Sequence, residues 1–469
     1  MVFSSTLFLF VFLPLVLTLH SLSPRGLRNL FLLVASIAFY SWGSGPMVLL
    51  LLCSITANFF AGRALVTWEK WRKHIFLGTT VLNLAILLYY KYFAFLYHEM
   101  ARCLSLVGVE LSPLGDIPLP IGISFFTFQA ISYLGEVYRR EHAPAKSIID
   151  YGMYITLFPH LIAGPIVRFS EISDEIQNRT VNVREMYEGL WRFSLGLGKK
   201  VIIANCIGSV ADKIFALPLH ELSTATAWTG AICYTFQIYF DFSGYSDMAI
   251  GLARMFGFYF PENFNQPYRA TTVTEFWRRW HMSLSRWFRD FVYIPLGGNR
   301  YGSTRTALNL WVVFFLCGLW HGAAWTFVLW GVYHGVLLVV ERVLRNTFGF
   351  ESRGPLGNLL TMFFVIIGWV LFRAEGVPQA WAFLSHMFAL NTPSDTVRAG
   401  VGFYLQSAPL FMLVVAAFFS WLPVEKGVSI NTDSLTWTAV RSLLIFLLLL
   451  LSSAILATSA FNPFIYFRF

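Results

Sequence analysis

Apolar residues fall along this chain in long blocks, separated by short polar or basic stretches. A helix crossing about 30 Å of hydrocarbon needs roughly 20 mostly apolar residues. On that measure the pattern predicts membrane spans near 2–20, 28–45, 46–62, 75–97, 118–137, 150–168, 226–257, 306–344, 357–373, 404–422 and 438–460, about eleven in all. The stretches 226–257 and 306–344 are too long for one upright crossing, so each must tilt, break or turn back. Segments 190–217 and 271–292 mix aromatic and charged residues without a long apolar run. They read as interfacial or re-entrant helices, tolerable at membrane depth only where protein or water satisfies their polar groups. Several such pieces in one chain imply an internal cavity.

Composition agrees. Of 469 residues 57% are apolar and 13% charged, against about a quarter charged in an ordinary soluble domain. The mean hydropathy is +0.61. Disorder, soluble repeats and a small disulfide scaffold are excluded, and the lipid bilayer is the solvent. The five cysteines are scattered, without CxxC pairs or metal-type spacing, and no metal site is expected. The net charge of +9 biases short cytoplasmic loops and does not call for nucleic acid. Between 262 and 306 seven arginines face three acids; this basic re-entrant or interfacial region is placed in the cytoplasm. The first twenty residues carry no Lys or Arg and no small-residue cleavage site, and read as a retained membrane segment. No linker divides the chain, so residues 1–469 are expected to form one membrane-embedded domain. No fixed-period or inverted repeat is visible, which disfavours a carrier.

Candidate chemistry centres on His321 in FFLCGLWHGAAWTFVLWGVYHG, where Gly318, Gly322, Ala323 and Ala324 leave room for backbone or ligand. An imidazole at membrane depth must be paired or line a wet cavity, and a neutral one can take a proton from a hydroxyl during acyl transfer. A helix-packing histidine is the plainer alternative. His334, thirteen residues on, is too far along an unbroken helix to be a co-ligand and is read as structural. In FWRRWHMSLSRWFRDFVYIPLGG, read as one helix, Trp277, Trp280, Leu284 and Trp287 share an apolar side while Arg278, Arg286 and Arg289 gather elsewhere. His281 lies on this element, near cations that suit a phosphate-bearing donor. Gln129, Glu136, Gln237, Asp241, Ser243 and Asp247 complete the buried polar set; by spacing alone they fit an enzyme's polar chamber or a transporter's ion sites.

Together these segments resemble the membrane-bound O-acyltransferase family, closest to its bacterial branch serving alginate O-acetylation. The likeness runs through MVFSSTLFLFVFLPL, LPIGISFFTFQAISY, FPHLIAGPIVRF, YTFQIYFDFSGYSDMAIGLARMFGF, FNQPY, TEFWRRWHMSLSRWFRDFVYIPLGGNR and WHGAAWTFVLWGVYHG, nearly the whole chain. The resemblance implies an all-α polytopic fold around a central tunnel, with His321 catalytic and His281 its helper. It implies an acetyltransferase of the bacterial inner membrane, taking acetyl from a cytoplasmic donor, acetyl-CoA, for O-acetylation of an exported polysaccharide of alginate or cellulose type. Arg278, Arg279 and Arg286 would meet the donor, and Gln129, Gln237, Asp241, Ser243, Trp320 and Trp325 would line the tunnel. The implied partners are an extracytoplasmic SGNH-hydrolase-like transferase and the polysaccharide synthesis and export machinery. The FxYxxF tail, within 461–469, resembles the C-terminal motif of the small protein of the related D-alanyl transfer system, which makes Tyr466 an acyl relay; an aromatic-belt anchor is the alternative. Glu136 departs from the Asp expected in the nearest relatives. Three rivals remain: a family member acylating a lipid or secreted protein, a transporter or channel coupled through Asp241, Asp247, Lys199 and Lys200, and an assembly subunit with no chemistry of its own.

Overall fold

The computed structural model describes residues 2–349, 352–390, 399–422, 434–459, 461–463 and 465. Among the described residues all regular structure is helical. The helices used below are α1 (Arg28–Ser44), α2 (Val48–Thr67), α3 (Arg72–Ser105), α4 (Ile123–Tyr138), α5 (Val183–Phe215) and α6 (Thr224–Met255). The remainder are α7 (Val273–Arg279), α8 (Met282–Phe288), α9 (Gly302–His321), α10 (Trp325–Phe348), α11 (Gly354–Arg373) and α12 (Leu435–Thr458). Among the described residues seven helical stretches are long and apolar enough to cross a membrane. They are Arg25–Thr67, which holds α1 and α2, Glu69–Ser105, which holds α3, and then α5, α9, α10, α11 and α12.

Three sequence expectations change. The block 150–168 is not one helix: Ile148–Thr156 stops at Leu157, whose ψ of 110° is not helical, and only Phe158–Leu161 follows. Its polar groups are absorbed locally, as where the buried His160 ring bonds the Tyr154 carbonyl at 2.8 Å. The segment 190–217, expected to be an interfacial or re-entrant helix, falls up to Phe215 within the 33-residue α5, which is long and apolar enough to cross a membrane. The apolar stripe of 276–288 does not ride on one helix, because the chain turns a corner at Trp280 and His281. Trp277, Trp280, Leu284 and Trp287 are buried all the same.

The described chain divides into two compact units, residues 1–189 with 252–261 and residues 190–251 with 262–469. In the first unit, Asn58 on α2 and Asn83 on α3 exchange side-chain hydrogen bonds of 3.1 and 2.7 Å. Gly62 makes room for the Tyr133 side chain of α4, whose hydroxyl would stand 2.4 Å from an added Cβ. Glu136 is buried and accepts from the Ser170 hydroxyl (2.7 Å) and backbone N–H (3.2 Å) at the start of Phe169–Asn178. That carboxylate therefore caps a helix. The second unit contains both histidines singled out above.

Candidate functional site

The overlong block 306–344 resolves into a hairpin, and His321 is the last residue of its first arm. Gly322 (φ −170°, ψ 156°) and Ala324 (φ −150°, ψ 151°) are extended, so α9 ends and the chain returns as α10. The arms touch main chain to main chain. A Cβ on Gly318 would stand 2.4 Å from the Phe327 carbonyl, and one on Gly331 2.4 Å from that of Phe314. Small residues are what permit such an approach. His321 is thus fixed on a rigid element, with ring centroids of Trp320, Trp330 and Phe372 at 4.9, 5.0 and 5.0 Å.

His281 is held differently. It occupies the corner between α7 and α8 at φ +43°, ψ 54°, a left-handed conformation costly for a residue with a Cβ. Asn263 stabilises it. Its Oδ1 accepts from the Ser283 N–H at 3.2 Å and the Ser283 hydroxyl at 2.9 Å, and lies 3.1 Å from His281 Nδ1. Its Nδ2 donates to Ser246 at 3.0 Å, and its carbonyl accepts from Met282 N–H at 2.9 Å. Because Oδ1 accepts, Nδ1 of His281 carries the proton and Nε2 keeps a lone pair in the neutral ring. This corner lies outside the candidate spans, and burial lowers the His281 pKa to about 3, so the ring is neutral at ordinary pH. Nothing in the sequence pattern marked Asn263, a small amide in an irregular stretch.

Both histidines line one cavity of about 320 Å³, whose wall also carries Arg278, Arg289, Arg342 and Arg345. Trp277, Trp280 and Phe314 supply its apolar side. His321 lines a second, small cavity as well, together with Ile238, Trp369 and Ile465. The Trp320 ring centroid lies 5.9 Å from that of His281 and 4.9 Å from that of His321. A third small cavity is bounded by Asp212, Gln237, Arg373 and Ile465, with Arg373 paired to Asp212 at 2.7 Å.

The remaining expected residues separate. Gln237, buried with no hydrogen-bond partner for Oε1 among the described residues, lines the third cavity. Asp241 and Lys200 form a buried ion pair. Asp241 also accepts from the Ile465 N–H at 3.1 Å, and Lys200 donates to the Pro463 carbonyl. Ser243, two residues after Asp241 on α6, is buried. Asp247 pairs with Arg192 and Lys199, each at 2.6 Å. Arg278 faces the main cavity, whereas Arg279 turns to Glu275 at 2.7 Å and Arg286 is not in the cavity wall. Trp325 is 49% exposed and borders none of these cavities. Gln129 is buried in the first unit. His334 packs between Trp277 and Trp330, at 5.0 and 5.1 Å. Tyr466 lies outside the described residues. Arg342 and Arg345 were missed because they sit near the far end of the hairpin's second arm, and only the folding back of that arm brings them to the cavity.

Comparison with known proteins gives a consistent result. The profile described as "MBOAT, membrane-bound O-acyltransferase family" matches residues 34–376. The chain is 41% identical to the "Probable alginate O-acetylase AlgI" of Pseudomonas putida over the full length of both. It is 44% identical to the protein of the same name from Pseudomonas aeruginosa, over 89% of this chain and 81% of the relative. It is 36% identical to the "Peptidoglycan O-acetyltransferase" of Helicobacter pylori, over 83% of this chain and 80% of the relative.

Proposed function

Because the chain belongs to the membrane-bound O-acyltransferase family, and is therefore a multi-pass membrane O-acyltransferase, we propose that it moves acetyl groups across the bacterial inner membrane for O-acetylation of an exported polysaccharide. The substrate class rests on its likeness to proteins named alginate O-acetylase and peptidoglycan O-acetyltransferase. Dropping 150–168, counting the hairpin as two crossings and adding α5 brings the proposed number of spans to about twelve, arranged around a tunnel.

One observation carries the mechanism: His321 borders both the arginine-rimmed cavity and the small cavity that contains Ile465 of the C-terminal segment. In this reading acetyl-CoA enters from the cytoplasm. Arg278, Arg342 and Arg345 meet its phosphates, and the thioester is brought to the histidines. His321 takes the proton of the acceptor hydroxyl as its oxygen attacks the acetyl carbonyl; the new C–O bond forms, the C–S bond breaks, and the proton passes to the departing thiolate. His281 assists through Nε2. The first acceptor is the Tyr466 phenol, directly after Ile465 in sequence. Its aryl ester is a good donor because phenol ionises near pH 10, and it passes acetyl to the serine of an extracytoplasmic SGNH-hydrolase-like partner working with the polysaccharide machinery.

The test supplies radiolabelled acetyl-CoA to the purified protein in vesicles and looks for acetyl on Tyr466 by mass spectrometry. Label in the wild type and not in His321→Ala supports the scheme. Label in both removes His321 from the first transfer, and label in neither removes the relay. Labelled lipid instead of polymer would favour a lipid-acylating enzyme.

A further inference from the structure

Gly196 on α5 and Gly244 on α6 let these helices meet at main-chain contact; a Cβ on Gly196 would stand 2.5 Å from the Gly244 carbonyl. One turn from that crossing, in a π-helical turn at Lys199–Ala204, Lys200 faces Asp241 with only 2% of either side chain exposed. A buried ion pair is stabilising only where further hydrogen bonds satisfy its remaining donors and acceptors. Here two main-chain groups of the C-terminal segment supply part of that, the Pro463 carbonyl accepting a hydrogen bond from Lys200 and the Ile465 N–H donating one to Asp241 Oδ2. Asn205 adds a bond to the Asn462 side chain at 3.3 Å. The pair thus offers the tail a donor and an acceptor, as a residue of a neighbouring strand would. It binds the main chain at Pro463 and Ile465, and the residue so held, Ile465, borders the His321 cavity.

We propose that Lys200 and Asp241 form a main-chain clamp that fixes the register of the C-terminal segment against the His321 cavity. They are positioning residues: they act on the acceptor through the tail they hold. The clamp's role in catalysis rests on the reading that Tyr466 carries acetyl, whereas its grip on the tail does not.

The experiment uses the full chain in lipid nanodiscs, and two arms separate these statements. In the first arm, a glycine inserted between Ile465 and Tyr466 follows the clamp and displaces the acceptor. A glycine inserted between Ser459 and Ala460 precedes the clamp and is taken up there. The first is expected to slow acetyl transfer roughly a hundredfold, as a displaced reacting group does, and the second to leave it unchanged. Both insertions keep the buried pair. In the second arm, carboxypeptidase digestion is followed by intact mass. Trimming is expected to stop short of Ile465 in the wild type and to run past Pro463 in the charge-neutral double variant K200M/D241N. Equal trimming of the two proteins overturns the clamp. Protection that depends on the pair, together with full activity of Tyr466→Phe, leaves the clamp standing and overturns the relay. With Tyr466→Phe inactive, equal effects of the two insertions overturn the register role.

Discussion

Asn263 Oδ1 lies 3.1 Å from Nδ1 of His281, and the same oxygen binds the backbone and hydroxyl of Ser283. The amide thus holds both the ring and the corner on which the ring sits. Asn263→Ala removes the side-chain hydrogen bonds that Ser246, His281 and Ser283 share with this amide, each worth about 0.5–1.5 kcal/mol. The expected outcome is a thermal midpoint lowered by several degrees and a drop in transfer rate. Asn263→Ala matching the wild type in both measurements would remove this residue from the site.

Burial also sets the pH response of His281. The folded ring titrates near 3, below the ordinary 6.5, so the folded state binds fewer protons than the unfolded one between these values. Its contribution is intact above about pH 6.5 and is lost by about 1.4 kcal/mol per pH unit as acidity rises toward pH 3. Thermal midpoints in micelles should therefore fall between pH 7 and pH 5, and fall less steeply in His281→Asn. Equal slopes in the two proteins would contradict the assignment.

The hairpin that fixes His321 gives a steric prediction. A methyl on Gly318 would press on the Phe327 carbonyl at 2.4 Å, a backbone atom with little freedom to move. Overpacking of this kind costs about 1–3 kcal/mol. Gly318→Ala should lower stability and, lying three residues before His321, also the rate. Gly349→Ala, with no neighbour within 4 Å of its Cβ but a φ of +63°, should cost stability through strain while sparing the rate.

These outcomes mark what the sequence can and cannot disclose. The helical blocks were legible because apolar length is read directly against the thickness of hydrocarbon. His321 was legible because an imidazole among small residues is conspicuous at membrane depth. The break at Gly322–Ala324 was only half legible: the length of 306–344 demanded a bend, but the glycine contact that shapes it needs both arms in place. The corner at His281 was hidden, since Trp277, Trp280, Leu284 and Trp287 keep helical spacing across a residue in a left-handed conformation. The tail contacts of Lys200 and Asp241 were hidden for another reason. They join residues more than 220 positions apart through main-chain groups, which leave no trace in side-chain pattern.

The arginines of the main cavity supply the last prediction. Arg278, Arg342 and Arg345 line it, whereas Arg279 is bound to Glu275 outside its wall. If these cations meet the phosphates of the acyl donor, neutralising one removes a charge-assisted hydrogen bond worth about 1.5–3 kcal/mol. Arg342→Gln should then raise KM for acetyl-CoA roughly tenfold or more with a smaller change in kcat, the pattern of lost uniform binding. Arg279→Gln should leave KM nearly unchanged. The contrast should also shrink at high salt for any cavity arginine that acts at a distance, and persist for one in direct contact. A KM that moves with Arg279 and not with Arg342 would place the donor on another face of α7.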